Sequence, residues 1–252
     1  EKNLDMARKL LLQSKQANAS YIAFTKAAAN ALSDPQMEAA REAALAEARY
    51  AIADANTTLI GLTTAEPEKN QLREESVAIL TGFEKDFPSQ TSLVIFAVYR
   101  RLESRLELGR NAEVRADYEN LKSLDPNHRF AALGGAKLAK QMKDGADKQW
   151  DALVGEKYVA GFATTEDQRV ARAKPGYEAA RAKVLEACDL YRDWLFTIQD
   201  AQSKLSNWVA VGWYYFVIGA WEPCADVHGK ALAKFGSSGA AEDLDKLRIR
   251  HL

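Results

Sequence analysis

Residues 205–238 read LSNWVAVGWYYFVIGAWEPCADVHGKALAKFGSS, and this stretch decides the fold. From Trp208 to Ile218 it is apolar on nearly every side, a composition that suits a helix only where neighbours cover it. Gly219-Ala220-Trp221 reads as a turn, because glycine takes the left-handed conformation in which helices commonly end. A second, amphipathic helix then runs to Phe235-Gly236. The stretch is therefore a helix-turn-helix unit, and it predicts an all-α chain.

The rest of the sequence agrees. Strand-like alternation is absent, and apolar residues recur at steps of three and four. Leu4, Ala7 and Leu11 line one helix; Ile22, Phe24 and Ala27 line a second that ends before Ser33-Asp34-Pro35. From Gln36 the positions Leu45, Ala48, Ile52, Ala55, Leu59 and Leu62 predict one helix of up to about 28 residues, on the order of 40 Å long. Asn56-Thr57-Thr58 is a place for it to bend. Glu66-Pro67-Glu68 opens the next helix, with proline in the first turn and acids at the positive end of the dipole. Further helices follow around Leu93–Leu102, Val114–Leu121 and Phe130–Met142, the last ended by Asp144-Gly145, and a short one lies around Trp150. Thr164-Thr165-Glu166-Asp167 is a capping box. A second long helix carries Tyr177, Ala180, Val184, Ala187, Tyr191, Leu195 and Ile198, and Leu244, Leu247 and Ile249 mark a terminal capping helix.

Composition narrows the function. Hydrophobic residues make up 47% and charged residues 27%, enough for a large core. The formal net charge of −1, balanced on both sides of Pro126, lacks the excess that nucleic acid or an anionic membrane would require. The longest apolar run, Trp208 to Trp221, spans about 14 residues and is too short for a membrane span. Cys188 and Cys224 do not make a disulfide framework. Glu1 is not methionine and the chain is helix-like almost at once, so a processed or excised N-terminus is expected. The compartment is cytoplasmic or, with a processed end, exported.

Within 205–238, Trp208, Val211, Gly212 and Tyr215 follow the spacing W-x2-L-G-x2-Y, with valine in the leucine place. Gly219, Trp221, Cys224 and Lys230-Ala231-Leu232 follow at set distances. This pattern resembles one tetratricopeptide repeat. Leu108-Gly109, Tyr118, Leu121 and Leu124-Asp125-Pro126 match the second half of such a unit, while Arg101, Leu102 and Arg105 do not fit its first half. The resemblance implies a right-handed α-solenoid of antiparallel helix pairs, divergent and with two unusually long helices. Residues 1–143 would form one lobe and 146–252 another, or both one continuous array. A small residue at Gly212 would let the second helix approach, with Cys224 and Ala231 on the facing side.

No sequence motif supports catalysis. G-x-S-x-G, H-E-x-x-H, Walker and G-x-G-x-x-G patterns are missing, and the carboxylates alternate with lysine and arginine as solvated faces do. Cys224 and His228 share a helix face, but two ligands do not close a metal site. The reading is a non-enzyme without metal or cofactor. Asn18-Ala19-Ser20 and Asn56-Thr57-Thr58 match the glycosylation acceptor pattern.

Binding surfaces are the sharper signal. In the family resembled here, the inner face of the first helix binds partners. That face would present Ser206, Val209, Trp213, Phe216 and Val217, without the polar groups that grip a terminal carboxylate. Cover by a neighbouring helix is one account of these aromatics, and a groove for a partner's apolar side chains is the other. Arg101 and Arg105, with Arg100, form a second candidate face, self-paired with Glu103 and Glu107 or docking an acidic partner. The function expected is a scaffold that binds a protein or peptide. The alternatives are a structural or oligomerisation module meeting a second copy, or an all-α small-molecule-binding or enzymatic domain with a pocket near Gly155–Ala163 or under the aromatic helix.

Overall fold

The computed structural model describes residues 2–27, 35–155, 164–197 and 204–236, and every regular element among them is a helix. The helices are α1 (Lys2–Ala27), α2 (Pro35–Leu62), α3 (Glu66–Leu80), the single turn α4 (Phe83–Asp86), α5 (Thr91–Glu107), α6 (Asn111–Leu124), α7 (Arg129–Val154), α8 (Thr165–Arg172), α9 (Tyr177–Thr197), α10 (Leu205–Val217) and α11 (Trp221–Phe235). They fall into two compact units, Glu1–Pro126 and Asn127–Leu252. These two units meet in the chain after Pro126. None of these helices is long and apolar enough to cross a membrane.

In the first unit α2 packs between α1 and α3. Its buried residues are mostly small, Ala46, Ala48, Ala53 and Ala55 with Ile52 and Leu59, so two helices can approach it closely. It runs 28 residues without a break. Asn56 does not interrupt it: the side chain is fully buried and its Nδ2 donates to Ser76 Oγ at 3.2 Å. Burial also removes Asn56 as a glycan acceptor. Pro35 opens α2 in its first turn, where a missing N–H costs nothing. The two helices expected before it are one, Lys2–Ala27.

Contacts give the helix directions. Arg49 donates to the carbonyl of Ile79 and Asn56 meets Ser76, so α2 and α3 run antiparallel. Tyr50 meets Phe96 and Asp54 meets Arg100, a step of four on both helices, so α2 and α5 run parallel. Arg8 with Glu68 and Lys15 with Glu75 make α1 and α3 parallel in the same way. In the second unit, Arg181 donates to the Ile218 carbonyl at 2.8 Å and Tyr215 to Asp189 at 2.7 Å, which sets α9 and α10 antiparallel.

Helix α7 departs from the sequence expectation. It continues through Asp144-Gly145 for 26 residues and absorbs the short helix expected around Trp150. An interior glycine costs a helix only about 1 kcal/mol, and burial of Ala146 and Trp150 against the second unit's core exceeds that. Thr164 forms the expected capping box: its Oγ1 accepts from Asp167 N at 3.1 Å, and Asp167 accepts from Thr164 N at 2.9 Å. Residues 156–163 of the Gly155–Ala163 segment and the terminal helix expected around Leu244–Ile249 lie outside the described residues.

Candidate functional site

The unit that opened the sequence reading closes on a glycine–histidine contact. Trp208, Val211, Gly212 and Tyr215 form the buried edge of α10, and Cys224, Val227, His228 and Ala231 that of α11. A Cβ on Gly212 would lie 2.0 Å from His228 Nε2, so only glycine lets the imidazole sit there. Cys224 Sγ donates to the Gly212 carbonyl at 3.4 Å and lies 3.6 Å from His228 Nδ1. Both side chains are essentially inaccessible. Among the described residues no third histidine, cysteine or carboxylate joins them into a group that could hold a metal ion. Glycine was expected to admit the facing helix; that a histidine ring fills the space was not.

The same local construction recurs in the first unit. Gly109 and Gly219 both have positive φ (71° and 68°) between paired helices. In both turns the glycine N–H bonds the carbonyl three residues back, and the next N–H the one five back. With these glycines superposed in sequence, Leu102 corresponds to Gly212, Val114 to Cys224 and Tyr118 to His228, and all six are buried. Arg101 and Arg105 then correspond to Val211 and Tyr215, and Asp117 to Val227. Those are core positions.

The structure accordingly places Arg101 and Arg105 in a buried ion network. Arg101 is 4% exposed. Its Nη2 lies 2.8 Å from Asp117 Oδ1, and its Nη1 donates to the Leu80 carbonyl at 2.8 Å and to Glu84 at 3.0 Å. Arg105 Nη1 donates to the other Asp117 oxygen at 2.8 Å. Burial tends to raise the Glu84 pKa, but hydrogen bonds from Arg101 and Asn120 outweigh it and hold the carboxyl below its ordinary range. A partner cannot reach Arg101. Arg101 and Arg105 are thus turned into the seam of α5 with α6 and α4 rather than solvated, while Arg100 stays partly exposed and pairs with Glu103 at 3.1 Å, the self-pairing expected of this face.

The aromatic face of α10 is half covered. Val209, Phe216 and Val217 are partly buried against the core of the second unit, Trp213 is partly buried, and Ser206 is exposed. Trp150 and Asp151 of α7 flank a small gap of about 100 Å³ beside Trp213 and Val217. Away from that gap, Trp213 stacks on Phe216 with centroids 5.5 Å apart, and Phe216 meets Trp221 edge-on at 5.4 Å. Trp221 is 57% exposed. The three rings make a continuous ridge that reaches the surface, and Trp221, read from the sequence as part of the aromatic cluster and the turn, forms its exposed end.

A larger, half-open cavity of about 290 Å³ lies among α7, α9 and α10. Its walls include Lys140, Lys143, Trp194 and Tyr214, residues from distant parts of the chain that no local motif connects. No family model, no curated protein and no solved structure matches this chain.

Proposed function

We propose that this protein is a non-enzymatic helical-repeat scaffold of the tetratricopeptide-like kind, binding a protein or peptide partner through the aromatic ridge of α10 and α11. The observation that carries the reading is the ridge itself: Trp213, Phe216 and Trp221 stack in sequence toward solvent on a helix pair whose other face is core. Large rings at a surface gain most of their binding energy by leaving water, which makes tryptophan a frequent anchor at interfaces. The solenoid arrangement draws support from the parallel register of alternate helices in the first unit and from the shared glycine turn of the α5–α6 and α10–α11 pairs.

A peptide-display selection against the immobilised chain, followed by titration of the recovered peptides, tests the proposal. Apolar peptides are expected to bind, and Trp213→Ala, Phe216→Ala and Trp221→Ala to weaken them by about tenfold or more with unchanged circular dichroism. Peptides that bind the ridge variants as tightly as the parent would sink it.

A second reading, an assembly module that meets another copy, is favoured by α1. Its Met6, Leu10 and Phe24 are 57%, 57% and 72% exposed. At 100° per residue they share one side of the helix. Light scattering across a concentration series separates the readings: a mass that rises toward a dimer and reverts on Leu10→Glu supports assembly, and a constant monomer mass excludes it.

A further inference from the structure

The cavity among α7, α9 and α10 combines a ring-sized space with a positively charged wall. Tyr191, Trp194 and Tyr214 supply aromatic surface, and Lys140, Lys143 and Asp144 supply charge, two cations against one anion. The ammonium of Lys143 sits 4.4 Å from the centroid of the Tyr214 ring, which fixes one cation beside the space. Lys140 makes no ion pair with any described residue, and its side chain is exposed at the mouth. The indole Nε1–H of Trp194 is buried and has no hydrogen-bond partner among the described residues. That donor lies below the accessible surface, so Trp194 enters the cavity wall as ring area rather than as a hydrogen-bond donor.

At about 290 Å³ the space is near the lower end of ligand cavities. It admits one ring with a short chain, and an extended peptide does not fit. Aromatic walls select a flat apolar body, and the lysine excess selects an anion. We propose that this cavity is a binding site for a single-ring group that carries a carboxylate. Such chemistry is found in free aromatic acids and in an aromatic residue at a peptide's C-terminus. The proposal stands apart from the ridge, because Trp213, Phe216 and Trp221 are not among the residues lining this cavity.

The test uses nitrogen-15 spectra of the tryptophan indoles, with the Trp194 cross-peak assigned by its loss in Trp194→Phe. Four probes are titrated: 3-phenylpropanoate, 3-phenylpropanamide, acetyl-Gly-Gly-Phe with a free carboxylate, and its amide. The expected result is saturable movement of the Trp194 peak by the acid at roughly millimolar half-saturation, with the amide at least about fivefold weaker. The Lys140→Met/Lys143→Met variant should reduce the acid to the level of the amide and leave the amide unchanged. A free-carboxylate tripeptide binding about tenfold tighter than the small acid would assign the site to a chain terminus; equal or weaker binding would assign it to a free acid. Equal affinity of acid and amide in the parent protein overturns the proposal whether or not the variants fold. So does a Trp194 peak that stays still while the other indoles move.

Discussion

Gly212→Ala is expected to destabilise the second unit by about 2 kcal/mol, although alanine is the better helix former. Alanine in place of an interior glycine gains about 1 kcal/mol in helix preference. Against that, the new methyl would lie 2.0 Å from His228 Nε2, inside any real carbon–nitrogen contact. The imidazole is fully buried and cannot step into solvent, so the helices must part or the ring must leave its rotamer. Overpacking of this kind costs about 1–3 kcal/mol, and more where the obstacle is boxed in. All five tryptophans lie in the second unit, so their fluorescence reports its unfolding. A fall in midpoint on the order of 8 °C is expected. The decisive control reverses the sign. In a His228→Ala background the methyl enters vacated space, and Gly212→Ala should stabilise by about 0.5–1 kcal/mol. Destabilisation of equal size in both backgrounds would show that the glycine–histidine contact is not the cause.

Asp117→Ala should cost the first unit about 1.5–3 kcal/mol, because Arg101 loses its bond to a buried carboxylate while keeping Glu84 on both Nη atoms. Both partners are nearly inaccessible, at 4% and 2%. Arg105 is less confined and keeps its carboxylate neighbour Glu113, as Arg101 keeps Glu84. Far-UV circular dichroism in urea is the readout, since the first unit contains no tryptophan. A loss below about 1 kcal/mol would mean that water reaches the seam and the network is an ordinary surface one. The double replacement Arg101→Met/Asp117→Leu removes that pair but leaves Glu84 without its guanidinium, so it should recover only part of the loss. The same network makes the unit acid-labile. Glu84 has a folded-state pKa below its ordinary 4.5, so its contribution is whole above that value and disappears as pH falls through the lower folded value. Glu84→Gln should flatten that part of the acid transition.

Legibility followed the range of each interaction. The 28-residue span of α2 was readable because its small and branched residues repeat without a fault. The Thr164 cap needed only four consecutive residues to be recognised. Asp144-Gly145 misled because glycine is weighed locally, whereas the continuity of α7 rests on Ala146 and Trp150 reaching the core of their unit. Arg101 and Arg105 misled for a related reason. Charge beside charge on one helix looks solvated, and the anion that buries them sits on α6. The parallel between Gly109 and Gly219 held the clue, since it puts both arginines at positions that are apolar or aromatic core in the clearer unit.

The site candidates divide the same way. Val209, Trp213, Phe216 and Val217 were named as the inner face that the repeat resemblance implies, yet only the packing around them decides how much of each side chain is left to solvent. The cavity with Trp194, Lys143 and Tyr214 has no sequence signature at all, because α7, α9 and α10 meet across long separations in the chain.

By itself, the sequence determined the helical class and several helix limits, which follow from backbone preference and short periodicity, while the small residue at position 212 was read from the resemblance to a repeat unit. Tertiary structure decided which polar groups are buried and which rings stay wet. Burial belongs to the set of surfaces brought together, and no helix carries that information alone.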